Sequence, residues 1–266
     1  LVTVFFVFPL LIFLRYSFNR FDPGQFMQSA WTLENYIKFF SDPYYVAILG
    51  RTFAVALVAT LLTLVLAFPL AYYLARMQSR RKSLLIMLVV LPLMAGNTTR
   101  AMGWIALFSE VGVINFMLRE LGLVKAPVQI LQTPGAVIVA IASVVLPYMI
   151  LTLQAVIEGI DPVLEEAARD LGASKWRVMW SVVLPLSMPG ILAGTLLVFV
   201  LCINAYSTPL LIGGPRVLMM APALYAQIQE VSNWPFGGAM AMILVVMTLF
   251  LSAVYVRLVE RRYGQG

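Results

Sequence analysis

The chain has 266 residues, 62% of them hydrophobic and only 11% charged, with a formal net charge of +6. Soluble domains carry about a quarter charged residues, and a soluble fold of this size cannot hide so much apolar side chain, so lipid has to solvate much of the surface. With no histidine and one cysteine, Cys202, the chain has no disulfide framework, cysteine-based metal cluster or histidine base of its own, and its basic excess reads as a topology signal rather than as nucleic-acid contact.

Six apolar spans can be drawn, at about 1–18, 51–74, 83–102, 133–155, 182–206 and 237–257. Each is near the roughly 20 residues a bilayer helix needs. The first is not read as a signal peptide, since it lacks a basic leader and no small-x-small cleavage site follows. Leu1 already lies in an apolar stretch, and a short preceding segment is expected. Residues 31–41 predict a short amphipathic helix, capped by Thr32 or Asn35 and ended by Asp42-Pro43. The second span carries Thr60 and Thr63, and the third ends on Asn97-Thr98-Thr99-Arg100. Residues 103–121 have helical apolar spacing suited to the membrane interface. The fourth span holds Ser143 and Pro147-Tyr148, and the fifth runs into Asn204, Tyr206 and Ser207. Residues 207–217 read as a proline- and glycine-rich turn segment. Pro69, Pro92, Pro147, Pro185 and Pro189 kink or end helices. No separate soluble domain, internal repeat or low-complexity tract stands out, so residues 1–266 read as one all-α, polytopic membrane domain.

Charge orients these spans. The connection 75–82, the connection 156–181 and the tail after Val256 carry Arg76, Arg80, Arg81, Lys82, Arg169, Lys175, Arg177, Arg257, Arg261 and Arg262. The longer opposite connections carry only Arg20, Lys38, Arg119, Lys125 and Arg216. Basic loops stay in the cytoplasm, which predicts both termini inside and places 156–181 there too.

That cytoplasmic connection opens a cassette, 161–194, that departs from the hydrophobic pattern. Asp161-Pro162 is a helix start, an N-cap acceptor followed by proline in the first turn. Leu164, Ala167, Ala168 and Leu171 form a narrow apolar stripe. Glu165 and Arg169 stand at i,i+4, with Glu166 on a neighbouring face. Gly172 suits a left-handed C-terminal cap, and Ser174 caps a second helix running to Leu184-Pro185. The plain reading is a cytoplasmic loop bearing a surface helix.

Glu166-Ala167-Ala168, Gly172, Val182 and Leu184-Pro185 together resemble the "EAA…G…I-LP" signature of permease subunits of bacterial ABC importers. Arg100…Trp104 with Gly112-Val113-Ile114-Asn115, Tyr206…Pro209-Leu210-Leu211-Ile212-Gly213-Gly214, and Trp234-Pro235-Phe236-Gly237 are similar to outer segments of polyamine-type permeases of the B kind. The resemblance implies a type I importer permease in the inner membrane, with a cytoplasmic coupling helix between spans 4 and 5. It further implies that Glu165, Glu166, Ala167, Ala168, Arg169, Gly172, Leu184 and Pro185 serve coupling to an ATPase. The expected partners are a second permease subunit in a heterodimer, two ATPase subunits carrying ATP and magnesium, and a periplasmic binding protein. No G-x-x-x-x-G-K-[ST] phosphate loop is present, so hydrolysis has to come from another polypeptide. No catalytic residue, metal ligand or cofactor is assigned to this chain.

Polar residues inside spans are candidates for a solute pathway: Thr60, Asn97, Thr98, Arg100, Tyr148, Asn204, Tyr206 and Ser207. A hydroxyl can equally bond back to its own helix, and Arg100 can snorkel from a helix end. No span holds Asp or Glu near its middle. Either a separate binding protein selects a cationic cargo that the pathway holds weakly, or the cargo is anionic or zwitterionic. A self-contained secondary transporter would instead show an intramembrane carboxylate or histidine, or inverted repeats, and an intramembrane enzyme would show facing catalytic groups. Neither pattern is found.

Overall fold

The computed structural model describes residues 2–263, with side chains over 7–258. The expected cytoplasmic Arg261 and Arg262 side chains therefore lie outside the described residues. Helices dominate, and among the described residues the β-type pairing is a single bridge between Arg20 and Gln28.

The N-terminal half contains α1 (Val2–Ser17), α2 (Glu34–Ser41), α3 (Pro43–Arg76), α4 (Arg81–Met94), α5 (Asn97–Phe108) and α6 (Val113–Glu120). The second half contains α7 (Pro134–Glu158), α8 (Pro162–Asp170), α9 (Lys175–Val178), α10 (Leu184–Leu186), α11 (Met188–Ile203), α12 (Met220–Gln229) and α13 (Trp234–Tyr263). Three of these helices begin by the same local chemistry. Asp42 accepts from the Tyr44 amide at 2.9 Å, Thr133 from Ala136 at 3.2 Å and Asp161 from Val163 at 2.9 Å, each with proline following the cap.

The core is a helix sandwich of α3, α7 and α11. Ala56, Ala59, Ala67 and Ala71 are fully buried on α3, and Val137, Ala140, Met149, Leu153 and Ile157 are fully buried on α7. Small side chains let helix backbones approach where lipid supplies no hydrophobic drive. The approach is close at Gly190 of α11, where an added Cβ would stand 2.8 Å from the Val156 Cβ. Val65 on α3 and Leu249 on α13, 69% and 65% exposed, belong to the apolar surface left for lipid or partner helices.

Among the described residues, four helical stretches are long and apolar enough to cross a membrane: 43–76, 97–120, 134–158 and 234–258. Two bent pairs raise the figure to as many as six. The expected boundaries change in several places. The helix expected over 83–102 is two helices, because Pro92 weakens the last turn of α4 and Ala95-Gly96 turn extended before α5 begins. Its first part, α4, spans only about 21 Å, short of the hydrocarbon core. The helix expected over 103–121 is broken at Ser109–Gly112, and its first half is continuous with Asn97. The helix expected over 182–206 breaks at Ser187 with a 66° bend, flanked by Pro185 and Pro189 and preceded by a π-helical turn, Met179–Val183. Residues 209–217 are not an open turn but a π turn and a 3-10 turn, which meet α12 at 88°. The amphipathic helix α2 forms as expected; Leu33 stands at its N-cap position, while the Thr32 hydroxyl accepts from the first amide, Glu34, at 3.1 Å, and Asn35 is not the cap. Asn35 is buried instead, donating to the Ser17 and Asn19 carbonyls at 2.8 Å each.

Candidate functional site

Two sites emerge, one at the cassette and one in a polar cavity. In the cassette, Asp161 and Pro162 start α8, and Gly172 ends it at φ +85°. The amides of Gly172 and Ala173 donate to the Arg169 and Ala168 carbonyls at 2.8 and 3.0 Å, a Schellman closure. Ser174 then accepts from the Arg177 amide at 3.3 Å and opens α9. These local features match the sequence expectation.

The orientation of α8 is less expected. The apolar stripe faces outward, with Leu164 47% and Leu171 90% exposed, and Ala167 and Glu166 lie open beside it. Val163, Trp176 and Trp180 are exposed too. The residue turned inward is an acid, Glu165, at 3% exposure. Its Oε1 accepts from Arg76 Nε at 2.8 Å, and Arg76 Nη2 lies 2.7 Å from the same oxygen. Its Oε2 accepts from the Tyr72 hydroxyl at 2.7 Å and from Arg169 Nη2 at 3.3 Å. Arg76 Nη1 also donates to the Ile160 carbonyl at 2.9 Å. Close by in sequence, Lys82 pairs with Glu158 at 2.7 Å, and Gln154 donates to the same carboxylate oxygen. Leu184 and Pro185 sit in α10, just before the break at Ser187. Helix α8 is thus anchored on one side by a buried carboxylate and carries exposed apolar side chains on the other.

The cavity lies where α5, α7 and the end of α11 converge, and measures about 260 Å³. Asn97, Arg100, Tyr148, Asn204, Tyr206 and Ser207 line it, joined by Thr208 and by apolar residues of α7 and α11. Six of the eight pathway candidates are thereby brought together. Arg100 Nη2 donates to Asn97 Oδ1 at 2.6 Å, and Nη1 reaches the Val144 carbonyl at 3.4 Å. Tyr206 packs on Tyr225 with ring centroids 4.9 Å apart. Neither Asp nor Glu lines the cavity, and Arg100 makes no ion pair among the described residues. Thr98 is exposed and lies outside the lining. Thr60 is buried, donates back to the Ala56 carbonyl at 2.7 Å and borders a separate apolar groove. Among the described residues no group of three potential ligands could hold a metal.

Sequence reasoning singled out neither Tyr72 nor Arg76 as site residues. The basic end of the second span was visible, but its partner lies 89 residues away. Thr208 was also missed, one residue past the last polar candidate.

The sequence model of the family described as "Binding-protein-dependent transport system inner membrane component" matches residues 64–265. The spermidine/putrescine transport system permease protein PotB of Escherichia coli K12 is 36% identical over 255 residues, covering 96% of this chain and 92% of that protein. The Haemophilus influenzae PotB is also 36% identical, over 96% of this chain and 89% of its own length. The inner membrane ABC transporter permease protein YdcU of Escherichia coli K12 is 32% identical, over 92% of this chain and 80% of its own. Among solved structures, a bacterial ABC transporter that imports the acidic polysaccharide alginate superposes with a TM-score of 0.81 at 17% identity, covering 98% of this chain and 91% of the matched one. The alginate transporter in complex with a pentasaccharide-bound periplasmic protein also gives 0.81, at 18% identity over 99% and 91%. At such identities these two comparisons establish a shared fold.

Proposed function

The chain belongs to the family of binding-protein-dependent transport system inner membrane components, and from that premise we propose that it is the permease subunit of an ATP-driven importer. It moves a small solute, polyamine-like or related to opines and amino acids, from a periplasmic binding protein to the cytoplasm by alternating access. The observation that carries this reading is α8, held by a buried carboxylate on one side and open and apolar on the other. Of two ATPase subunits, holding ATP and magnesium, one docks there on the cytoplasmic face. A second, non-identical permease completes the pathway. Both termini are cytoplasmic, as the basic connections favour. The chain itself performs no catalysis.

The cavity is read as part of the passage, its polar side chains replacing water around the cargo as it crosses. The 36% identity to spermidine/putrescine permeases supports a polyamine cargo. Among the described residues Arg100 makes no ion pair and no carboxylate lines the cavity, which favours a second reading, an anionic or zwitterionic cargo. With a polyamine, the cavity holds its cargo weakly and selection rests with the binding protein.

The test is purification with the neighbouring ATPase, second permease and binding protein, followed by uptake into proteoliposomes. ATP-dependent uptake that requires the binding protein supports the reading. Uptake by this chain alone, driven by an ion gradient, overturns it.

A further inference from the structure

We infer that Glu165 and Arg76 form a strut that carries movement of α8 into α3 and, through α3, to α12 on the opposite side of the molecule. This rests on the reading of α8 as the ATPase contact. The backbone of α8 packs chiefly on its sequence neighbours α9 and the π turn at Met179–Val183. Its tie to α3 is made by side chains: the Tyr72 hydroxyl and the Arg76 guanidinium both converge on the Glu165 carboxylate. The same guanidinium holds the Ile160 carbonyl at the exit of α7. One cation thus links the ends of three helices. A cation shared between a buried carboxylate and a backbone carbonyl resists separation of the elements that carry them.

The far end of α3 is also tied. Thr52 Oγ1 accepts from the Met220 amide at 2.9 Å, and Arg51 Nη1 donates to the Arg216 carbonyl at 3.3 Å. Between these ties, from Thr52 to Arg76, α3 runs without a break over about 36 Å, with Pro69 inside it. A displacement applied at α8 has a continuous route to the start of α12, whose Tyr225 packs on Tyr206 of the cavity. Glu165 and Arg76 are positioning residues, since they line neither the cavity nor the exposed face of α8.

The experiment uses the complex with its partner ATPase and second permease, in a Cys202→Ala background. Spin labels are placed on Glu110→Cys and Gln229→Cys, two exposed positions outside α8. The distance between them is measured with and without ATP. The parent complex shows an ATP-dependent change. Glu165→Gln shrinks that change at least about threefold while the ATPase stays bound, in the range by which residues remote from both ligands alter coupling. The swapped pair, Arg76→Glu with Glu165→Arg, restores about half of it or more. If the swapped pair does not fold, Arg76→Lys has to retain about half. A full change in Glu165→Gln overturns the inference, as does no change in the parent or no rescue by either variant. Loss of the ATPase from Glu165→Gln also overturns it, because Glu165 would then be a docking contact. By contrast, an ATPase that stays bound to Leu171→Asp counts against α8 as the docking helix and leaves the Glu165–Arg76 connection untouched.

Discussion

Thr52 Oγ1 accepts the backbone N–H of Met220 at 2.9 Å, joining α3 to the first turn of α12 across 168 residues of sequence. The first amides of a helix have no partner within it, and Met219, at the N-cap of α12, makes no side-chain bond to them. A threonine from another helix supplies the cap. Its own hydroxyl donates to the Ile48 carbonyl at 2.8 Å, and the side chain is fully buried. Thr52→Val preserves the shape and strands the Met220 amide, at a cost of about 1–3 kcal/mol. Thr52→Ser keeps the bond. Thermal unfolding in detergent checks this: the valine variant melts earlier and the serine variant stays near the parent.

Gly172 stands at φ +85°, where an added Cβ would meet no neighbouring atom. The cost of substitution is therefore conformational rather than steric crowding. Gly172→Ala loses about 1–2 kcal/mol at that turn. Gly172→Pro, which cannot take a positive φ, abolishes the closure of α8. Cargo-stimulated ATP hydrolysis in the reconstituted complex should fall modestly in the first variant and vanish in the second. Stimulation at the parent level in Gly172→Pro would remove α8 from the coupling role.

The outward stripe of α8 predicts a different signature. Leu171 is 90% exposed, so Leu171→Asp changes the stability of the isolated chain by no more than about 0.5 kcal/mol. As an anchor in an interface, the same leucine is worth about 2 kcal/mol, or roughly thirtyfold in ATPase affinity. Co-purification and thermal unfolding of the same variant separate the two effects. An unchanged ATPase yield shows that the stripe is not the docking face.

The cassette ends were legible in the sequence because caps are local: Asp161-Pro162, Gly172 and Ser174 each act within a few residues. The cavity was legible for a different reason. A polar side chain in an apolar span is conspicuous, and Asn97, Arg100, Tyr148, Asn204, Tyr206 and Ser207 do meet. Thr60 was conspicuous too, but its hydroxyl is satisfied by its own helix, an alternative that hydropathy cannot distinguish. The inward turn of Glu165 was hidden because its partners, Tyr72 and Arg76, lie on another helix. The break at Ser187 was hidden because a bend between two apolar segments leaves the hydropathy profile unchanged, although the prolines beside it marked the region.

The contact of α11 with α7 gives a packing test. Gly190 faces Val156, and a Cβ there would lie 2.8 Å from the Val156 Cβ and 2.9 Å from its Cγ2. A β-branched neighbour cannot swing aside as a flexible chain end can. Gly190→Ala should cost about 1–3 kcal/mol through overpacking, and Gly190→Leu should prevent stable folding. Size-exclusion profiles and thermal unfolding report both. A parent-like Gly190→Leu would show that the two helices do not approach this closely.

Arg100 decides between the two cargo readings. A cation about 5 Å from its guanidinium is repelled by about 3 kcal/mol at an effective dielectric constant near 20. A polyamine is thus repelled from the cavity, and Arg100→Gln lifts that repulsion, so its uptake stays at or rises above the parent rate. Arg100→Glu would reverse the sign of the site and hold the polycation, lowering turnover while raising apparent affinity. A carboxylate-bearing cargo behaves oppositely. Arg100→Gln then removes a charge-assisted hydrogen bond worth about 1.5–3 kcal/mol, and uptake falls by about tenfold or more. Measuring spermidine and 4-aminobutyrate uptake in both variants, with the cognate binding protein, separates the cases. If neither variant changes the uptake of the transported solute, the cavity is not on its route.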